Sequence, residues 1–187
     1  MSFFKRLRKF RDQEDGLVMT EFLIMLPLLV WTFMALFIYW DAFRTINQSQ
    51  KASYAVSDLL SRQSDINVSF IGGMKTVMQY LTGETDVKLR ITSIQWLQPE
   101  NKYYVLFSRS PGNQLPALSA GDVWNMRSRI PLMTNRDSVV IVEAVVAYRP
   151  AFNVGIPAHT FDNFVVTRPR SPIRRVCLIE QPCPTNL

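Results

Sequence analysis

LVMTEFLIMLPLLVWTFMALFIYW, residues 17–40, is the stretch that decides the fold. It carries one charge, Glu21. As a helix rising about 1.5 Å per residue it covers roughly 36 Å, enough to cross a bilayer. It exceeds the ~7–15-residue apolar core of a cleaved secretory signal. The residues that follow, Asp41, Ala42, Phe43 and Arg44, offer no small-x-small cleavage pattern. Tyr39 and Trp40 close the stretch with side chains suited to a membrane–water boundary. Before it, Lys5, Arg6, Arg8, Lys9 and Arg11 crowd a short basic segment. By the positive-inside rule this keeps the N-terminus cytoplasmic and exports everything after Trp40. The competing reading, a buried helix of a soluble protein, is disfavoured by those flanking charges.

Two residues inside the stretch are costly for a plain anchor. Glu21 lies a few residues into the apolar run, where an ionised carboxylate is unfavourable unless it is paired or reaches the interface. Pro27 removes a backbone donor and crowds the preceding turn, so a kink or local opening is expected there. The bland alternative is that Glu21 snorkels to the surface and Pro27 is tolerated, as membrane helices often tolerate proline.

The charge of the rest is unevenly placed. The 187 residues carry 21 Lys and Arg against 15 Asp and Glu, a formal charge of +6. Residues 1–16 hold five basic and three acidic side chains, and residues 168–187 hold four and one. The body between is nearly neutral. A nucleic-acid binder spreads a basic face over its fold, so nucleic acid is not expected as a partner. One histidine, two cysteines and no G-x-S-x-G or phosphate-cradling loop remove most motif-based arguments for an enzyme, and no cofactor is implied.

After Trp40 the helical pattern continues to about Gln63, with Phe43, Ile46, Tyr54, Ala55, Leu59 and Leu60 as the expected buried face. A second helix is expected near 68–82, with Gly72-Gly73 arguing against it. From Asp86 the period becomes two. Val87, Leu89 and Ile91 alternate with Lys88 and Arg90, Pro99-Glu100-Asn101 signals a turn, and Tyr103–Phe107 returns. Residues 111–136 are rich in turn formers, with one short helix near Asp122–Met126. Ser138–Tyr148 (SVVIVEAVVAY) is almost wholly apolar, hence a central strand, with Glu143 facing either a partner at the sheet edge or the solvent side. Thr160–Thr167 is the last strand. Helices followed by antiparallel strands give an α+β class: a basic leader over 1–16, a transmembrane helix over 17–40, and an exported domain over 41–187.

Near the C-terminus, Cys177 and Cys183 admit a disulfide, given an oxidising compartment, or two free thiols. A zinc site from His159, Cys177 and Cys183 lacks a fourth ligand. Arg168, Arg170, Arg174 and Arg175 form either a solvated tail or a site for anionic headgroups, polysaccharide or an acidic neighbour.

Gly16 followed by Leu17-Val18-Met19-Thr20-Glu21 resembles the type IV prepilin signature, in which a membrane peptidase cuts after the glycine and a glutamate stands fifth in the mature chain. The run Glu21–Pro27 (EFLIMLP) is similar to that of the TadE/TadF-like minor pilins of tight-adherence (Tad, or Flp) pili. The resemblance continues through Asp58-Leu59-Leu60-Ser61-Arg62, through Val139–Glu143 and through Arg168-Pro169-Arg170, so it covers most of the chain. Leu17 departs from the phenylalanine that often opens other mature pilins.

The resemblance implies a pilus structural and assembly component. It would sit in a bacterial inner membrane, be processed between Gly16 and Leu17 by a prepilin peptidase, and join other pilin subunits on an inner-membrane assembly platform. Its Glu21 would pair with the new amine of a neighbour, protonated at neutral pH. The alternatives are an uncleaved single-pass anchor with a periplasmic binding domain, and a membrane-anchored enzyme. The enzyme would need paired acids that the spacing of Asp58, Asp65, Glu84, Asp86 and Glu143 does not supply.

Overall fold

The fold is described by a computed structural model for residues 17–172 and 174–184. The leader 1–16, with Gly16 at its end, lies outside the described residues. The chain is α+β. Helix α1 (Leu17–Ser61) is followed by β1 (Asp65–Ile66), α2 (Val68–Thr82), β2 (Val87–Leu97) and β3 (Lys102–Arg109). Then come α3 (Ala120–Asn125), β4 (Ser138–Tyr148), β5 (His159–Thr167) and β6 (Cys177–Leu178). By proximity the chain divides into two units. One holds the chain up to Ala42 together with Pro150–Pro157, and the other holds Phe43–Arg149 and Ala158–Leu187.

The second unit is built on an antiparallel sheet in the order β3-β2-β4-β5. β2 pairs β4 from Val87↔Val146 to Gln95↔Ser138, and β4 pairs β5 from Val140↔Thr167 to Tyr148↔His159. β4 therefore has a neighbour on each side and apolar cover on each face, which is why it lacks a polar alternation. On one face Val140, Val142, Ala144 and Val146 join Ala52, Val56 and Leu60 of α1 and Ile71 and Met78 of α2 in the main core. On the other, Val139 and Ile141 join Ile94, Val123 and Ile130, the last two supplied by the turn-rich stretch that carries α3.

Glu143 is neither an edge contact nor a solvent residue. It stands opposite Arg90 on β2 and accepts from Arg90 Nε at 2.7 Å and Nη2 at 2.8 Å. Both side chains are largely buried, at 15% and 12% exposed. Arg90 Nη1 also donates to the Pro116 carbonyl at 2.6 Å. The pair thus ties the 111–118 segment over the sheet. Such a pair is disruptive to break, because the remaining charge would stay buried.

The face that α1 turns to the sheet differs from the expected one. Phe43, Tyr54 and Leu59 are exposed, at 62%, 64% and 41%. Leu60 is buried as expected, and the rest of the buried face is Thr45, Ser49, Ala52, Ser53, Val56, Ser57 and Ser61. Thr45, Ser49, Ser53, Ser57 and Ser61 recur every fourth residue and form one stripe. Small side chains fit where the helix is covered, and hydroxyls on this stripe bond back to the helix's own carbonyls. Ser49 Oγ donates to Ile46 O, and Ser53 Oγ to Ser49 O, each at 2.8 Å. Ser61 Oγ donates to Asp58 O at 2.8 Å. A face can therefore be buried without being hydrophobic.

Other differences are smaller. α1 ends at Ser61, β2 reaches Leu97, and the short helix starts at Ala120. There Ser119 and Asp122 form a reciprocal capping box. α2 runs through Gly72 and Gly73, and Cβ atoms at either would meet nothing within 4 Å, so neither glycine is demanded by packing. Asn67 Oδ1 caps α2 by accepting from Phe70 N at 2.7 Å, and Gly83 ends it at φ 72.

The Ser/Thr stripe generates a test. Ser53 is fully buried, so Ser53→Leu overpacks this face of α1 and is expected to destabilise the full-length protein by about 1–3 kcal/mol. Tyr54→Ser, one residue on, is expected to stay within about 0.5 kcal/mol of the parent in the same denaturant titration. The reverse order would restore the apolar face as the buried one.

Candidate functional site

The first unit contributes a bare apolar shaft. Its large side chains from Val18 to Trp40 are 43–73% exposed, apart from Met34, which is half-buried, and Ile38, which is buried. α1 is long and apolar enough to cross a membrane, and only 6% of its most apolar window is buried. Its first half is thus left uncovered by the described residues, while its second half enters the main core. Leu17 is its first residue, and Glu21 follows one turn later, exposed and without an ion pair among the described residues. The helix is unbroken through Pro27, whose missing donor deprives the carbonyl one turn earlier of its usual partner. Beyond it, Thr32 Oγ1 donates back to Leu28 O at 2.8 Å.

The C-terminal arm of the second unit is fastened rather than free. Arg170 N donates to Ser61 O at 2.6 Å, satisfying a carbonyl at the end of α1. Cys177 N donates to Ser64 O at 2.9 Å and Ile179 N to Ile66 O at 2.8 Å, which makes β6 a parallel partner of β1. Glu180 Oε1 then accepts from Val68 N at 3.2 Å, placing an acid at the N-terminus of α2. Val176 and Leu178 are buried in the main core. Cys177 and Cys183 form a disulfide, with Cα atoms 5.5 Å apart, that closes the arm on itself. Beside it Asp65, Arg175, Ile179 and Pro182 line an open hollow.

The four arginines divide by role. Arg168 donates to Leu132 O at 2.9 Å and lies 3.5 Å from Asp137. Arg170 lies 3.7 Å from Asp58, which Arg62 already holds at 2.8 Å. These pairs are exposed and contribute little stability each. Arg174 sits at φ 55, and its carbonyl accepts from Ser138 Oγ. Arg175 Nη1 donates to Pro184 O at 3.3 Å. The backbone of this segment builds the arm, while the Arg168, Arg170 and Arg174 side chains remain exposed.

The groups with perturbed acidity have local causes. Hydrogen bonds from the Ser119 side chain and then its backbone N–H hold the Asp122 carboxyl below its ordinary range. Its stabilising effect is thus present above the unfolded carboxylate value and fades as pH falls through the folded one. The hydrogen bond from Tyr104 to Glu100 raises the Tyr104 phenol. Both are local turn and cap chemistry. Among the described residues no three His, Cys, Asp or Glu gather as a metal site. The arm's contacts to Ser61, Ser64 and Val68 were not foreseeable, because they join residues more than a hundred positions apart through two-residue strands.

The disulfide should hold the arm on β1. Replacing Cys177 and Cys183 together by serine is expected to destabilise the full-length protein by about 2–3 kcal/mol in a thermal or denaturant melt, as suits a short closed loop. No change would show that the backbone contacts suffice.

No protein-family model, curated protein or solved structure matches this chain.

Proposed function

We propose that this chain is a minor pilin or pseudopilin of a tight-adherence (Tad, Flp-type) pilus, a structural and assembly component without enzymatic activity. The observation that carries this reading is one uninterrupted 45-residue helix of two characters. Its first half is bare and apolar with an acid near its start. Its second half is built into an α+β head. The sequence before it, a basic leader ending in Gly16, completes the pattern. Residues 17–40 span the inner membrane, the N-terminus stays in the cytoplasm, and the head is periplasmic.

Cutting after Gly16 by a prepilin peptidase frees an α-amine on Leu17. Amine and Glu21 carboxylate of one subunit stand four residues apart, about 6 Å along the axis. Pairing each with its counterpart on a neighbouring subunit replaces two lone charges in an apolar bundle by one pair and sets the axial register. Pro27 weakens the backbone ladder a little beyond that charge, where the helix can bend as a subunit leaves the bilayer for the pilus. Phe43, Tyr54 and Leu59 add exposed apolar surface of the head that a neighbouring subunit can cover. The Arg168–Arg174 surface offers positive charge to an acidic neighbouring subunit.

Sequencing of the membrane-extracted protein from cells with an active prepilin peptidase is expected to begin LVMTEF. Gly16→Trp should retain the leader and abolish assembly without changing topology. Glu21→Ala should insert and be cleaved, yet lower pilus incorporation at least several-fold. An uncleaved chain would favour the plain single-pass anchor, and normal piliation by the Glu21 variant would remove the charge pair.

A further inference from the structure

The bare shaft has one covered flank. From 18 to 42 only Ile38 is buried, and only Met34, Ala35, Asp41 and Ala42 are half-buried. Their spacing of one, four, seven and eight residues marks a single helical face. Apart from the helix, the described chain of this unit is Pro150–Pro157 alone. That segment links β4 to β5 and reads PAFNVGIP, with no charge; the nearest are Arg149 and Asp162. Pro150 and Pro157 have no backbone N–H, which lowers the number of donors needing a partner where water is scarce. Gly155 turns the chain at φ 98, in the left-handed region. Val154 and Ile156 are half-buried, whereas Phe152 is 49% exposed.

The covered flank fixes a depth. Met34 precedes Trp40 by six residues and Ile38 by two, about 9 Å and about 3 Å along the axis. With Trp40 at the outer membrane–water boundary, a segment on this flank reaches the band that interfacial elements occupy, about 5–10 Å into the headgroup–acyl region. An irregular loop fits there, because headgroups and water still satisfy its backbone, but not deeper in hydrocarbon. An uncharged loop with a projecting phenylalanine suits that band, since an aromatic ring is favoured at the interface.

We infer that Pro150–Pro157 is a membrane-contact loop whose Phe152 enters the headgroup–acyl boundary of the phospholipid bilayer beside α1. The loop gives the exported part a second hold on the membrane and fixes the rotation of the helix about its axis. The inference rests on the proposed membrane placement of residues 17–40.

The test uses the full chain in phosphatidylcholine–phosphatidylglycerol vesicles with a single environment-sensitive fluorophore. It is attached through Phe152→Cys, Asn153→Cys, Phe37→Cys or Tyr80→Cys without reductant, so that the Cys177–Cys183 bond leaves one reactive thiol. Tyr80 is 86% exposed on α2 and serves as the head control. Lipid-borne nitroxide at shallow acyl depth should quench position 37 and at least one of the two loop positions strongly, and position 80 little. Quenching at 37 with none at 152 or 153 overturns the loop and leaves the anchor standing, whether aqueous iodide reaches the loop or a neighbouring protein shields it. No quenching at 37 overturns the anchor itself. Equal quenching at 80 overturns the assignment to this loop.

Discussion

Side chains between Val18 and Trp40 that stand 43–73% exposed cannot remain in water as a folded monomer would leave them. Burial of apolar surface is worth about 25 cal/mol per Å², and soluble monomers rarely leave patches beyond a few hundred Å² uncovered. Something apolar must surround this half of α1. A bilayer and a bundle of like helices both meet that demand, and a pilin meets them in turn. The single acid, Glu21, then becomes the one polar group that distinguishes the two environments: costly in lipid, useful in a bundle that supplies an amine.

The second half of α1 answers to a different constraint. From Phe43 onward the helix belongs to the head, and it buries a stripe of Thr45, Ser49, Ser53, Ser57 and Ser61 beside Ala52, Val56 and Leu60 of the main core. The arm from Arg170 to Glu180 then satisfies the last carbonyl of α1, pairs with β1 and places a carboxylate at the start of α2. Val56 and Leu60 enter the main core, and the small buried side chains and the backbone bond to Ser61 add to that hold. The large hydrophobes on the outer face, Phe43 and Tyr54, are left for other surfaces.

Much of the fold was legible because periodicity carried it. The apolar run at 17–40, the alternation at Val87–Ile91 and the unbroken apolar strand at Ser138–Tyr148 each reflect burial directly. The departures have separate physical causes. The buried face of α1 departs from its apolar pattern because small hydroxyl side chains at Thr45, Ser49, Ser53, Ser57 and Ser61 are buried without being hydrophobic. β1 and β6 went unseen because two residues carry no period. Glu143 could not be assigned because its partner, Arg90, is set by strand register, which the sequence does not display. Of the candidate site, the position of the shaft and of Glu21 was readable, since both lie in one continuous segment. The arm built from the basic tail was not, since it depends on residues 170–180 meeting residues 61–68 in space.

Topology tests the central proposal most directly, because every assembly role requires the shaft to carry the head across the membrane. Fusion of the full chain, after Leu187, to a reporter that folds only in an oxidising exported compartment should give an active reporter, while a cytoplasm-only reporter at the same point should be silent. Activity of the cytoplasmic reporter and silence of the exported one would contradict the placement of residues 17–40 as a membrane span with the head outside.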